Sequence, residues 1–158
     1  MKTIELTDRA AIDDVITRCP YCMLGLTDEE GKPYVVPMNF AWEDGHAYLH
    51  SGAEGTKTRL LECEPVACLT FCDGAELVWM HREMACSYSM KSRSVLVRGK
   101  VSAITDPDEK RRALMLMMRH FTQEPLRMSE AAVRGVRVWR IDAEEITARS
   151  FGNRPSEL

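Results

Sequence analysis

The residues best suited to chemistry lie in one block, His50-Ser51-Gly52-Ala53-Glu54-Gly55-Thr56-Lys57-Thr58-Arg59, preceded by Pro37-Met38-Asn39-Phe40. The pattern reads as two β-strands leading into a glycine-punctuated loop that opens a short helix. A helix N-terminus presents unpaired backbone N–H groups and the positive end of the helix dipole, so it suits a phosphate. Lys57 and Arg59 add full positive charges, and Ser51, Thr56 and Thr58 add hydroxyl donors. The chemistry indicated is capture of an anion beside a sheet, with Lys57 ahead of Arg59. His50 ends a strand, where it serves either as a hydrogen-bonded structural residue or as a wall of that pocket. Asn39 can offer a donor and an acceptor to a planar ring edge, or cap a turn.

Other reactive residue types are explained more simply. Cys19-Pro20-Tyr21-Cys22 has the spacing of a dithiol redox motif, but such a motif follows a strand and opens a helix, which stabilises the first thiolate. Here it follows a helix and opens a strand, so two reduced, half-buried cysteines are expected. Cys63, Cys68 and Cys72 lie in or beside apolar runs and read as small hydrophobes. Cys68, Cys72, His81 and Cys86 have gaps that fit no paired zinc-ligand arrangement, and no metal site is expected. Met115-Leu116-Met117-Met118 reads as helix packing.

The elements that must position the block follow from periodicity and turn chemistry. Residues 8–18 form a helix that Thr7 can cap, with Ala11, Ile12, Val15 and Ile16 as its apolar stripe. Met23 to Thr27 and Tyr34 to Trp42 are strands joined by the turn Asp28–Lys32, and Glu43-Asp44-Gly45 turns into strand Ala47–His50. A short helix covers Gly55 to Glu62, and Pro65 opens a strand to Phe71. Ser94 to Thr105 is a long strand with a bulge at Gly99. Asp106-Pro107-Asp108-Glu109 starts a helix to Phe121. Val136–Ile141 and Ile146–Ser150 are late strands. Residues 76–93 read either as an irregular connection or as a substrate-side loop. Strands at hairpin spacing with few helices predict an α+β fold, a small antiparallel barrel with peripheral helices.

The chain has 158 residues, enough for one domain with a real core. Its 45% hydrophobic and 28% charged residues are those of a globular protein, and a net charge of −3 gives no support for binding nucleic acid or an anionic membrane. No run reaches the roughly 18 apolar residues of a membrane span, and residues 1–6 lack a signal-peptide core. A cytoplasmic chain with reduced thiols is therefore expected.

This order of elements resembles the FMN-binding split-barrel family of the pyridoxamine 5′-phosphate oxidase superfamily, and within it the nitroimidazole-resistance, nitroreductase-like branch. The residues that carry the resemblance are Tyr34-Val35-Val36-Pro37-Met38-Asn39-Phe40, Tyr48-Leu49-His50-Ser51-Gly52, Gly55-x-Lys57, Glu64-Pro65-Val66-Ala67-Cys68 and Ser92 through Val101. It covers nearly the whole chain as a single FMN-binding domain, residues 1–158, with a six-stranded, Greek-key-like split barrel. It implies a homodimer with FMN at the subunit interface. By position, His50, Ser51, Lys57 and Thr58 would face the FMN phosphate, and Val36, Pro37, Met38, Asn39 and Phe40 would run along the flavin ring, mostly through backbone groups. Ser92, Arg93 and Ser94 would approach from the adjacent strand, and Trp139 and Arg149 from the second subunit. True pyridoxamine phosphate oxidases carry an arginine-rich strand where this chain has Pro33–Met38, which argues against vitamin B6 oxidation. The resemblance thus implies an FMN-dependent oxidoreductase that passes electrons from NAD(P)H to a nitroaromatic or quinone. The same fold also hosts flavin- or haem-binding modules without turnover, and deazaflavin (F420) reductases.

Overall fold

Local signals set the first elements. In the computed structural model, which describes residues 3–63 and 65–152, helix α1 spans Arg9–Arg18. Its cap is Asp8, whose carboxylate accepts the Ala11 N–H at 2.8 Å. Thr7, the expected cap, sits one residue too early. Strand β1 (Thr3–Glu5) precedes α1, and β2 (Cys22–Thr27), β3 (Pro33–Met38), β4 (Phe40–Glu43) and β5 (His46–Ser51) follow it. Then come α2 (Thr56–Glu62), β6 (Val66–Trp79), a single 3₁₀ turn at Ala85–Ser87 and β7 (Tyr88–Ile104). Helices α3 (Pro107–Phe121) and α4 (Glu130–Arg134) lead into β8 (Arg137–Phe151). Glu64, one of the residues that carry the resemblance, lies outside the described residues.

The strands form one antiparallel sheet in the order β3-β2-β6-β7-β8-β5-β4, with β1 added on β8. The two ends of this order, β3 and β4, are consecutive in sequence and are joined through Asn39 alone. The chain itself therefore links the two ends of the sheet, and the barrel splits there. The α+β split-barrel class stands, with eight strands rather than six.

Three boundaries differ from the sequence reading. The expected strand Tyr34–Trp42 breaks at Asn39, where the chain crosses from one end of the sheet to the other. The two late strands are one, because an extra residue, Glu144, is absorbed as a bulge between the pairs Arg98–Glu145 and Gly99–Ala143. Residues 76–93 are mostly a β-hairpin: β6 and β7 continue pairing to Trp79–Tyr88 after a bulge marked by Gly74 at φ 65°.

Side chains sort onto two sides of this wall. Leu24, Phe40, Leu49, Leu69, Phe71, Val95, Val97 and Ile141 fill the barrel interior, where α1 inserts Val15 and Ile16 and α2 inserts Leu60 and Leu61. Outside, α3 and α4 cover β4, β5 and the start of β8 through Ala113, Leu114, Met117 and Val133. The outward face of β3, β2, β6 and β7 and of the rest of β8 carries no helix among the described residues. Cys68 and Cys72 belong to that outward face, alternating with buried Ala67, Leu69 and Phe71, so they are not the core hydrophobes expected. No helix among the described residues is long and apolar enough to cross a membrane.

Candidate functional site

The loop after β5 is held by a buried chain of hydrogen bonds. The Trp139 indole N–H donates to Ser51 Oγ at 3.0 Å, and Thr58 Oγ1 lies 3.0 Å from the same oxygen and 3.1 Å from the Gly52 carbonyl. Ser51 and Thr58 are both nearly fully buried. Their hydroxyls thus tie the first turn of α2 to the end of β5. Gly55, which caps α2, sits at φ 122°, a region side chains disfavour. Trp139 itself is in the core, so it does not reach across to a second subunit as the resemblance implied; instead it anchors the loop from within.

Two polar groups in this corner lack ordinary partners. Lys57 is half-buried, and its Nζ touches the Met38 thioether at 3.1 Å, with no carboxylate partner among the described residues. A thioether is a weak acceptor, so most of the ammonium's bonding capacity is unused. The buried Nδ1 of His50 has no hydrogen-bond partner among the described residues. Burial, with the nearby Lys57 charge second, pushes the His50 pKa below its ordinary value, so the imidazole is neutral at pH 7. The Lys57 charge is felt at the His50 ring, and a cation with a neutral N–H donor within its field fits an anion with several acceptor oxygens. Arg59 differs: it points to Glu29 at 2.5 Å on the surface.

The edge strand β3 divides the next group of residues. Val36, Met38 and Phe40 turn their side chains to the interior, while Pro37 and Asn39 are exposed on the outside. Pro37 lacks an N–H and accordingly sits on a terminal strand, opposite Met23. On β7, Ser92 and Ser94 lie on the bare outward face. Arg93, between them, points the other way, bonding Asp14 at 3.0 Å and Asp73 at 2.5 Å. The structure therefore separates Arg93 from its two neighbours and uses it to tie α1 to the wall.

The outward face carries two shallow cavities. One, of about 430 Å³, is floored by Gly25, Val35, Val66, Cys68 and Thr70. The other, of about 440 Å³, is lined by Ser94, Leu96, Arg98, Thr147 and Arg149. Sequence reasoning missed Thr70, Arg98 and Thr147; alternation along β6, β7 and β8 places them with Ser94. The dithiol spacing carries no activated thiolate: burial pushes the Cys19 thiol up to about 11 and the Cys22 thiol up to about 12. Among the described residues no group of three or more His, Cys, Asp or Glu could hold a metal ion.

Comparison with known proteins agrees with this architecture. A protein from Bacteroides thetaiotaomicron, provisionally assigned to 5-nitroimidazole antibiotic resistance, is 45% identical, with a TM-score of 0.86 over 95% of this chain and 88% of that one. The flavocytochrome Anf3 of Azotobacter vinelandii (22% identity, TM-score 0.80, 96% and 71% coverage) shares the fold. So does the FAD and heme binding protein of Mycobacterium smegmatis (18%, 0.84, 96% and 75%). Curated proteins yield no match. The family model for pyridoxamine 5′-phosphate oxidase matches residues 8–150, and the chain belongs to that family.

Proposed function

We propose that the protein is a dimeric FMN-binding flavoprotein that reduces a small nitroaromatic or quinone with electrons from NAD(P)H. The observation that carries the cofactor assignment is that, among the described residues, Lys57 has no carboxylate partner and the buried His50 Nδ1 has no hydrogen-bond partner. Bound FMN supplies the hydride and electron transfer. Lys57 neutralises the phosphate, and His50, neutral at pH 7, donates one N–H to it. Trp139, Ser51 and Thr58 keep the loop fixed, so little ordering remains to be done on binding. Asn39 and the backbone beside Pro37 are open on the edge strand, available to a ring. Ser92 and Ser94 supply hydroxyls from the bare face, and a second protomer covers that face. The nitroaromatic assignment is supported by the 45% identical Bacteroides protein. The family's name does not lead to vitamin B6 oxidation here, because Tyr34-Val35-Val36-Pro37-Met38 contains no arginine.

The test begins with the visible spectrum of the purified protein and the mass of the cofactor it releases. A yellow protein releasing FMN, bleached by NADH or NADPH and recoloured by a nitroaromatic, is the expected result. Lys57→Ala then weakens FMN binding by roughly 1.5 to 3 kcal/mol, the range for a charge-assisted hydrogen bond. A colourless protein that fails to quench added FMN overturns the reading. Bound FMN that neither nicotinamide reduces makes it a binding module instead.

A further inference from the structure

The hairpin of residues 76–79 and 88–91 stands beyond the sheet. Among the described residues its two strands form ladder pairs only with each other: β8 pairing with β7 ends at Ser92–Phe151, and β2 pairs β6 at positions 68–70. A two-stranded ribbon is marginal in water without cover for an apolar side. Side-chain contacts nevertheless run to the tip of this arm. Trp79 stacks on Tyr88 at 5.6 Å, Arg82 lies 5.4 Å over Trp79, and Tyr88 Oη donates to the Arg82 carbonyl at 2.8 Å.

The register gives the arm a side. Leu77 faces Met90 and Trp79 faces Tyr88, and β7 carries Met90 and Tyr88 on the same side as Ser92, Ser94 and Leu96. The four large side chains, 37–51% exposed, therefore form a raised stripe continuous with the bare outward face. At the other end of that face lie Val35 and Val66, about 60% exposed, around the 430 Å³ cavity floored by Gly25 and Cys68. One end is bulky and raised; the other is small and hollow. Between them run Ser94, Thr147 and Arg149.

We propose that a second copy of this chain covers the face in antiparallel orientation, the arm stripe of each protomer seated in the Val35–Val66 hollow of the other. The proposal rests on the dimer reading above and adds its register. A two-fold axis relating two stacked faces lies in their plane, and its limiting directions are along the strands and across them. Along the strands, arm meets arm and hollow meets hollow, which sets bulk against bulk and leaves two voids. Across them, each arm fills a hollow, and the packing approaches the density interfaces require. The outward positions on the five strands number about twenty, the size of one side of a standard interface.

The experiment measures the dimer dissociation constant of the holoprotein by sedimentation. Leu77→Lys and Val66→Glu each raise it by about a hundredfold or more, since each buries an unpaired charge twice per dimer. The two combined in one chain restore it to within about tenfold of wild type, and mixing the two single variants yields a heterodimer. Circular dichroism confirms that each variant is folded. Leu77→Ala and Val66→Ala, milder changes at exposed sites, give a double-mutant cycle whose effects do not simply multiply. A dimer in which the alanine effects multiply and the charges fail to rescue each other overturns the register while leaving the dimer standing. A wild-type protein that is monomeric at every concentration overturns both.

Discussion

His50 and Lys57 set the behaviour of the candidate site at the residue scale. Both are placed where water solvates them poorly, and neither has an ordinary partner among the described residues. The His50 pKa is lowered first by burial and second by Lys57, so the folded protein takes up that proton less readily than the unfolded chain. The stability His50 contributes is therefore complete above the unfolded pKa of 6.5 and is lost as pH falls from there toward the lower folded value. Thermal melts of the FMN-free protein should show a fall in melting temperature below about pH 6.5 that His50→Asn flattens. A bound phosphate dianion reverses the sign of the local charge, so FMN should reduce that fall. Identical pH profiles for wild type and His50→Asn would remove the burial argument. Cys19 shows the same principle without function. It follows α1, at the negative end of the helix dipole, and burial followed by Asp73 raises its pKa, so the dithiol spacing yields two inert thiols.

At the scale of elements, what could be read from sequence is what local chemistry decides. Pro107 sits at the first position of α3 with Asp108 and Glu109 in its first turn, as the sequence indicates, and Asp106 caps the helix by accepting the Asp108 and Glu109 N–H groups at 3.0 and 2.9 Å. Pro37 marks an edge strand for the same kind of reason. The length of β8 was not legible, because Asp142-Ala143-Glu144-Glu145 has the polarity of a turn and only the neighbouring strand reveals it as a bulge. The arm was hidden likewise: Gly74 suggests a turn, but pairing with β7 carries the strand through. Of the candidate site, the loop and Lys57 were visible from residue type, whereas the anchoring role of Trp139 was not, since it depends on strand β8 lying beside β5. The sequence marks Gly99 as a bulge position, and the structure gives the reason for glycine: a Cβ there would fall 1.9 Å from the Asp142 carbonyl oxygen. Gly99→Ala should destabilise the protein by at least about 2 kcal/mol in denaturant titration, since backbone rather than a flexible side chain must yield. A change within a few tenths would mean that the bulge relaxes freely.

The whole molecule is a closed interior with an unequally covered outside. Helices α3 and α4 shield one part of the wall and the rest carries no helix among the described residues, and that part holds Ser92, Ser94, both cavities and the arm stripe. Covering it with a second copy places the proposed cofactor face between protomers and buries the apolar ends together, so cofactor binding and association should strengthen each other. Cys72 offers a reporter that requires no substitution. It is exposed on the bare face, opposite Ser94, whereas Cys19 and Cys22 are sealed in the interior. Alkylation of Cys72, followed site by site by mass spectrometry, should slow as protein concentration rises through the dimer dissociation constant. The dependence should vanish in Leu77→Lys, in which Cys72 stays open at all concentrations. Cys19 and Cys22 should react only on unfolding, given thiol pKa values of about 11 and about 12. A Cys72 rate that is the same at every concentration in a protein shown to dimerise would place the interface on another face, and with it the second wall of the flavin site.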